Sequence, residues 1–444
     1  MKENTQLTDR RQFIKGAAAV AAAGALGAGA LLQSCSRDRT KAVVPTFLDQ
    51  APDGRELKAG LIGCGHRGTG AAMNFVDAGN GLRITAMGDV FADRLNSCRH
   101  HLKEQRGVEV PDEKCFVGFD AYQKVIESDV DVVLLCAPPY FRPSHFDAAV
   151  RARKHVFLEK PVAVDPVGTR TVMASARMAD AAGLKVVAGT QRRHQRDYVS
   201  TYEQIRSGII GDIVASNCWW NQQRLWYVQP QDGWDQMTAM LRDWVNWRWL
   251  SGDIIVEQHM HNIDTVYWFT GKYPVKALAF GGRHRRLTGD QYDYFSTDFV
   301  FDDNTHMHSM CRQMDGCTNN ISDRIRGTRG YTNCQNEIYD HNGQLIWSYE
   351  YPVGEDGQPS PQAMMSPYVQ EIIHLVEAIR QDKALNEAED CAISTMVAIM
   401  GRMSAYTGRE VTYEEVMNSN LRLGPAKLAF GPVDIPIEVP VPGA

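Results

Sequence analysis

The ten cysteines of this 444-residue chain form no Cys-x-x-Cys pair and follow no regular spacing. A zinc-ribbon or disulfide-stapled scaffold is therefore excluded, although isolated disulfides are not. Cys64 and Cys136 sit within or beside apolar strand patterns, where a thiol acts as a small hydrophobe. Nor is there any excess of positive charge. The chain has 47 Lys and Arg against 53 Asp and Glu, a formal net charge of −6, and nucleic acid is not expected as a partner. No internal repeat occurs at solenoid or propeller spacing. What is present is 44% hydrophobic and 23% charged residues, the balance of a soluble globular protein. The length suffices for two domains with substantial cores.

The first 35 residues are set apart from the fold. Asp9-Arg10-Arg11-Gln12-Phe13-Ile14-Lys15 is a twin-arginine signal pattern, followed by an apolar, Ala- and Gly-rich stretch over 16–32. That stretch is short for a span of about 20 strongly apolar residues. Leu32-Gln33-Ser34-Cys35 resembles a lipobox, with Gln33 an unfavoured residue in it. The expectation is twin-arginine export to the periplasm, with Cys35 the residue through which a lipid would tether the protein to the membrane. Residues 36–55 read as a linker.

The chain is organised around Lys58-Ala-Gly-Leu-Ile-Gly-Cys-Gly-His-Arg-Gly-Thr-Gly70. An apolar run leads into Gly63-x-Gly65-x-x-Gly68, and small residues then open a helix. In a dinucleotide fold the first glycine permits the turn, the second admits a pyrophosphate, and the third lets helix pack on strand. Gly63, Gly65, His66, Arg67 and Gly68 would then cradle phosphates at the positive end of that helix. Asp89 ends the next apolar run about 20 residues on, where a ribose-binding carboxylate belongs. Its charge favours NAD over NADP.

Apolar strand candidates at 57–62, 82–87, 130–136, 155–158 and 185–188 alternate with helical stretches, which predicts a doubly covered parallel sheet. Residues 56–191 are thus a Rossmann domain. Beyond it, 212–220, 275–282, 293–301 and 306–313 read as longer strands, several of period two, with a helix over 254–269. Residues 192–424 are expected to form a second α/β domain with a large, mostly antiparallel open sheet. Helices within 366–406 pack back on the Rossmann side, and 425–444 form a strap.

Three stretches, Gly63-Cys-Gly65-His-Arg-Gly68, Glu159-Lys160-Pro161 and Glu257-Gln-His-Met-His261-Asn-Ile-Asp264, resemble the glucose–fructose oxidoreductase / inositol dehydrogenase (Gfo/Idh/MocA) family over about 57–412. The resemblance implies NAD as cofactor, a sugar or polyol substrate, and an open sheet that often forms a homo-oligomer interface, here a dimer or tetramer. It puts Glu159, Lys160 and Pro138 beside the cofactor, with Lys160 hydrogen-bonded to the reacting oxygen. Without it, Lys160 reads equally as a surface lysine in a turn. His261 is the candidate base. Glu257, four residues earlier on one helix, would orient it, unless the two are simply a solvated pair. The family usually has Asp at the position of Glu257 and often Gly at that of His259.

Gln191, Arg193, Trp220, His259 and His261 are the candidate substrate contacts, although Gln191-Arg-Arg-His194 also reads as a basic surface loop. The density of aromatics (Trp219, Trp220, Trp226, Tyr227, Trp234, Trp244, Trp247, Trp249), with Asn221 and Gln222, suits a carbohydrate cleft or a core. No metal is expected, since His259 and His261 would point to different helix faces. The expected function is NAD-dependent oxidation of a secondary hydroxyl, with the 3-OH a candidate, and with NAD held tightly and recycled. The alternatives are a redox-neutral glycosidase or lyase using transient oxidation, or a non-catalytic lipid-anchored sugar-binding protein. The NAD-dependent α-N-acetylgalactosaminidase branch of the family lacks the lysine found here as Lys160, which counts against close membership in it.

Overall fold

Strands β1 (Leu57–Ile62), β2 (Leu82–Asp89), β3 (Cys115–Val117), β4 (Val132–Leu135), β5 (His155–Leu158) and β6 (Val186–Ala188) are short and mostly apolar. Every residue of β4 and β6 is buried, as a sheet covered on both faces requires. Their order is β3-β2-β1-β4-β5-β6, and all pairs are parallel. Helices α1 (His66–Asp77), α2 (Ala92–Arg106), α3 (Ala121–Glu127), α4 (Arg142–Arg151) and α5 (Pro166–Ala181) connect them. The strand order reverses between β1 and β4, and a crevice opens there at the carboxyl ends. This computed structural model describes residues 45–443. The signal, Cys35 and most of the linker lie outside those residues. The end of the linker is not loose: Ala51 is fully buried, and its N–H donates to Ala78 O at 2.7 Å.

After α6 (Arg196–Arg206) the chain enters a nine-stranded sheet. Its members are β7 (Ile213–Gln222), β8 (Lys276–Gly282), β9 (Tyr294–Val300), β10 (His306–Gln313), β11 (Asn320–Gly327), β12 (Gly330–Thr332), β13 (Glu337–Asp340), β14 (Leu345–Ser348) and β15 (Val411–Thr412). The order is β14-β13-β12-β11-β7-β10-β9-β8-β15. Every pairing is antiparallel except β7 with β10, as the pattern of long alternating strands predicts.

One expectation fails here. Residues 254–269 do not form a single helix but two, α8 (Ile254–Glu257) and α9 (Met260–Thr270), broken at Gln258 and His259. Asp253, fully buried at φ 76°, starts the first by accepting from Ile254 N. Between these helices and α6, α7 (Gln236–Arg242) lies beside a small apolar cluster containing Met237, Trp249 and Val433. Near the end, α10 (Pro367–Arg380) packs on α1, β5 and β6. Helix α11 (Ala388–Thr407) lies between α5 on one side and β8 with α9 on the other. The chain beyond α12 (Tyr413–Asn418) then runs across both domains. Leu423 N donates to Asp165, Val433 N to Gln236, and Tyr292 OH to Pro440 O.

Candidate active site

The three motif glycines occupy three different environments. Gly63 has φ +93°, and a Cβ there would lie 2.5 Å from Ala137 N of the adjoining β4 loop. A Cβ at Gly68 would lie 1.8 Å from Gly63 O, so helix and strand touch only because it is absent. A Cβ at Gly65 meets nothing within 4 Å. Gly65 is also the N-cap of α1, which has no side-chain cap and no acidic residue in its first turn. This open, uncapped helix end at the switch point fits a dinucleotide pyrophosphate. Asp89 is fixed by accepting from Cys64 N at 2.7 Å and Phe91 N at 2.9 Å. His66 is exposed and Pro138 half-buried at the same edge. Arg67 donates to Glu159 at 2.5 Å and to the buried Glu371 at 3.0 Å, beneath the Tyr368 ring. Burial pushes the Glu371 carboxyl up.

Lys160 brings the two domains together. Its ammonium donates to Glu257 O at 2.7 Å and Glu257 Oε1 at 3.2 Å. Gln258 Nε2 donates to the other carboxylate oxygen of Glu257. The expected Glu257–His261 partnership is therefore corrected. The break after Glu257 removes the four-residue helical spacing, and the carboxylate turns to Lys160 instead. The His261 ring is buried and stacked on Trp220, with centroids 5.6 Å apart and planes at 22°. Burial first, then the positive charges of Lys160, Arg192 and Arg67, hold its pKa well below the usual histidine range. The imidazole is thus neutral at neutral pH and able to accept a proton.

Two other expectations are corrected. His259, expected against substrate, is fully buried under the sheet, with Nε2 2.6 Å from Ser309 Oγ. Burial lowers its pKa to about 3. Arg193, also expected against substrate, is consumed by a two-pronged bond to Asp264 (2.9 and 2.9 Å), itself bonded by Ser394 at 2.7 Å. It fastens the turn at 191–194 to α9. Gln191 and Trp220 differ from it: Gln191 Oε1 and Trp220 Nε1 are buried polar atoms with no partner among the described residues. Trp220 stacks on His261, and both unpartnered atoms suit a hydroxylated ligand. The aromatic density divides. Trp220 faces the site, Trp249 is fully buried in the small cluster with Trp244 and Trp247 packed on it, and Trp226 is exposed.

Sequence reasoning named Arg192 only within the 191–194 run of substrate or cofactor contacts, and it missed Arg142. Arg192 donates to Asp323 at 2.9 Å and Thr265 at 3.2 Å, with its guanidinium 5.9 Å from the Trp220 ring. Its adjacency to Gln191 and Arg193 was a signal, but its partner is 131 residues away. Buried Arg142 donates to Ala137 O at 3.0 Å and Pro161 O at 2.6 Å, tying the β4 loop to the Lys160 turn. Nothing in the local sequence marks it. Among the described residues, no group of three or more His, Cys, Asp or Glu side chains is placed to hold a metal ion.

Fold and site together define a two-domain protein whose first domain is an NAD-binding Rossmann fold. Residues 57–188 match the family described as an oxidoreductase family with NAD-binding Rossmann fold, and 198–332 match the GFO/IDH/MocA C-terminal domain. The chain belongs to the Gfo/Idh/MocA family. Residues 8–27 match the twin-arginine translocation signal, which marks the chain for that export route.

An inositol 2-dehydrogenase of Acidothermus cellulolyticus is 26% identical over 257 residues, 56% of this chain and 65% of that protein. A glycosyl hydrolase family 109 protein of Shewanella sp. (strain ANA-3) is 28% identical over 234 residues, 50% of this chain and 48% of that protein. The chain thus spans less than two thirds of the length of these curated relatives. In fold it is similar to scyllo-inositol dehydrogenase from Lactobacillus casei, solved with NAD(H) and scyllo-inositol (TM-score 0.60, 20% identity, 81% of this chain and 99% of that one). It is also similar to aldose-aldose oxidoreductase from Caulobacter crescentus (TM-score 0.62, 19% identity, 81% and 100%).

Proposed function

We propose that this protein oxidises a secondary hydroxyl of a sugar or glycoside, the 3-OH in our reading, using an NAD that it retains and restores within the site. The observation that carries this is the convergence of Lys160, held by Glu257, with a neutral His261 stacked on Trp220. His261 accepts the hydroxyl proton, and the Lys160 ammonium stabilises the forming alkoxide. NAD, when bound on the glycine loop, supplies the hydride acceptor. Trp220 offers an apolar face to sugar C–H groups, and Gln191 an acceptor to a hydroxyl.

Export argues for retention of the cofactor. Twin-arginine export carries folded proteins, so NAD can be acquired before export, whereas a periplasmic enzyme has no obvious pool to exchange with. A keto-sugar acceptor would then take the hydride back. In this reading a lipid on Cys35 tethers the protein on the periplasmic side. A second copy covers the outer sheet face, where Phe280 is 68% and Leu278 54% exposed. The test is to purify the protein without added cofactor, denature it to release NAD, and assay a glycoside plus a keto-sugar acceptor. Co-purified NAD and exchange without added NAD are expected; empty protein that works only on supplied NAD would overturn the scheme. The glycosyl hydrolase likeness keeps a second reading in view, a redox-neutral glycosidase. The same assay separates the two, since that enzyme would release free sugar and no keto product.

A further inference from the structure

We propose that the carboxyl ends of β7 and β10 form a second sugar subsite, so that the preferred substrate is a glycoside of at least two sugar residues. This inference rests on the sugar oxidation proposed above. Strand register carries it. The parallel pairing of β7 with β10 sets Cys311 beside Trp220, and Gln313 beside Gln222. Across β9, Gln313 N donates to Asp293 O at 2.9 Å, so Asp293 joins the same row. Residues two apart on a strand share a face, about 7 Å apart. The Asp293–Gln313–Gln222 row therefore lies one step beyond Trp220 and the stacked His261, on the same side of the sheet. One sugar residue bridges such a step.

At that row is a cavity of about 430 Å³, lined by Arg224, Arg285, Asp293, Gln313, Met314 and Asp315 among others. Gln313 is 3% exposed, and its Oε1 accepts from Arg286 at 2.8 Å. A guanidinium only donates, so this bond fixes the amide and leaves Nε2 as the donor. That Nε2 has no acceptor among the described residues, and neither has Nε2 of the adjacent Gln222. Arg286 is itself held by Asn246 at 2.9 Å and Tyr292 O at 2.7 Å, which makes the floor rigid. At the rim, Arg224 N donates to Asp315 Oδ1 at 3.0 Å and Arg285 to Asp315 O at 3.3 Å. Two arginines and two aspartates line the space, a balanced set that suits a neutral polyhydroxylated ring over a phosphate, sulfate or uronate. Met314 supplies an apolar contact for its C–H face.

The experiment compares kcat/KM for methyl hexopyranosides with the matching disaccharides, using the NAD-loaded full chain. The unmodified protein should favour a disaccharide at least tenfold. Arg224→Ala with Arg285→Ala, at the rim where folding is least at risk, should bring that ratio near one, and Gln313→Leu should act in the same direction. No disaccharide preference, or a ratio untouched by the rim variant, overturns the subsite. If no glycoside of either kind is oxidised, the functional reading fails instead. Calorimetric titration of the disaccharide then decides the subsite on its own: binding weakened about tenfold by the rim variant supports it, and absent binding overturns it.

Discussion

Lys160 and Glu257 come from different domains, so the bond between them positions the ammonium as well as balancing its charge. Lys160→Met should lower turnover by roughly 10²–10⁴, with NAD still bound. Glu257→Gln should cost about tenfold, because the 2.7 Å bond to Glu257 O survives the change. Steady-state rates beside NAD content in the same preparations check both. The imidazole of His261 gives a pH signature. Its folded pKa lies below the ordinary value near 6.5, so protonation favours the unfolded chain, and its contribution to stability is lost as pH falls below about 6.5. The acid limb of kcat/KM should likewise lie below the ordinary histidine range. Removing the Lys160 charge should move it upward, read from the residual activity of Lys160→Met or from the His261 NMR titration. Lys160, Glu257 and His261 were legible as residue types in motifs. Their partners were not, because one break in a helix redirected Glu257, and the bonds of Arg192 and Asp323 span 131 residues.

The glycine loop was the most legible element, because spacing alone expresses it: Gly63 and Gly68 answer local steric demands, and Gly65 leaves the helix end open. The environments now separate two outcomes. Gly68→Ala puts a methyl into Gly63 O and must push α1 off β1, at about 1–3 kcal/mol in the manner of overpacking. Gly65→Ala projects its methyl into open space, so thermal stability should hold while NAD affinity falls tenfold or more. Melting curves and NAD titration of both variants distinguish these effects; equal melting temperatures would contradict the packing role of Gly68. The first sheet was readable from its short apolar runs, apart from the three-residue edge strand β3. Strands β11 to β14 were not. Asn320–Gly327 carries Asp323, Arg324 and Arg326 among its apolar residues, and β12, β13 and β14 have three or four residues each. Long-range pairing with β7, not local pattern, makes them strands.

Across the whole molecule, the cofactor edge is covered by segments far away in sequence. The loops after β2, β3 and β4 carry Phe91, Phe119 and Tyr140. Phe430 of the strap packs on Phe91 and Phe119, with ring centroids at 6.3 and 5.2 Å, and Tyr140 OH donates to Pro425 O at 3.4 Å. From the second domain, Arg242 on α7 bonds Asp93 at 2.6 and 2.7 Å and lies 3.8 Å from the Phe91 ring centroid. Phe91 follows Asp89 by two residues, so these contacts lie beside the edge at which Asp89 stands. The proline-dotted composition of 425–444 suggested a strap; the contacts of this segment with the edge depend on aromatic side chains that no local pattern encodes. In the proposed reading this cover would retain NAD, because the adenosine half would not leave until the strap lifts. Phe430→Ala removes the central contact and leaves Asp89, Lys160 and His261 in place. NAD loss during dialysis should then be at least tenfold faster, while turnover of freshly loaded protein stays near normal. An unchanged rate of NAD loss would show that the strap does not hold the cofactor.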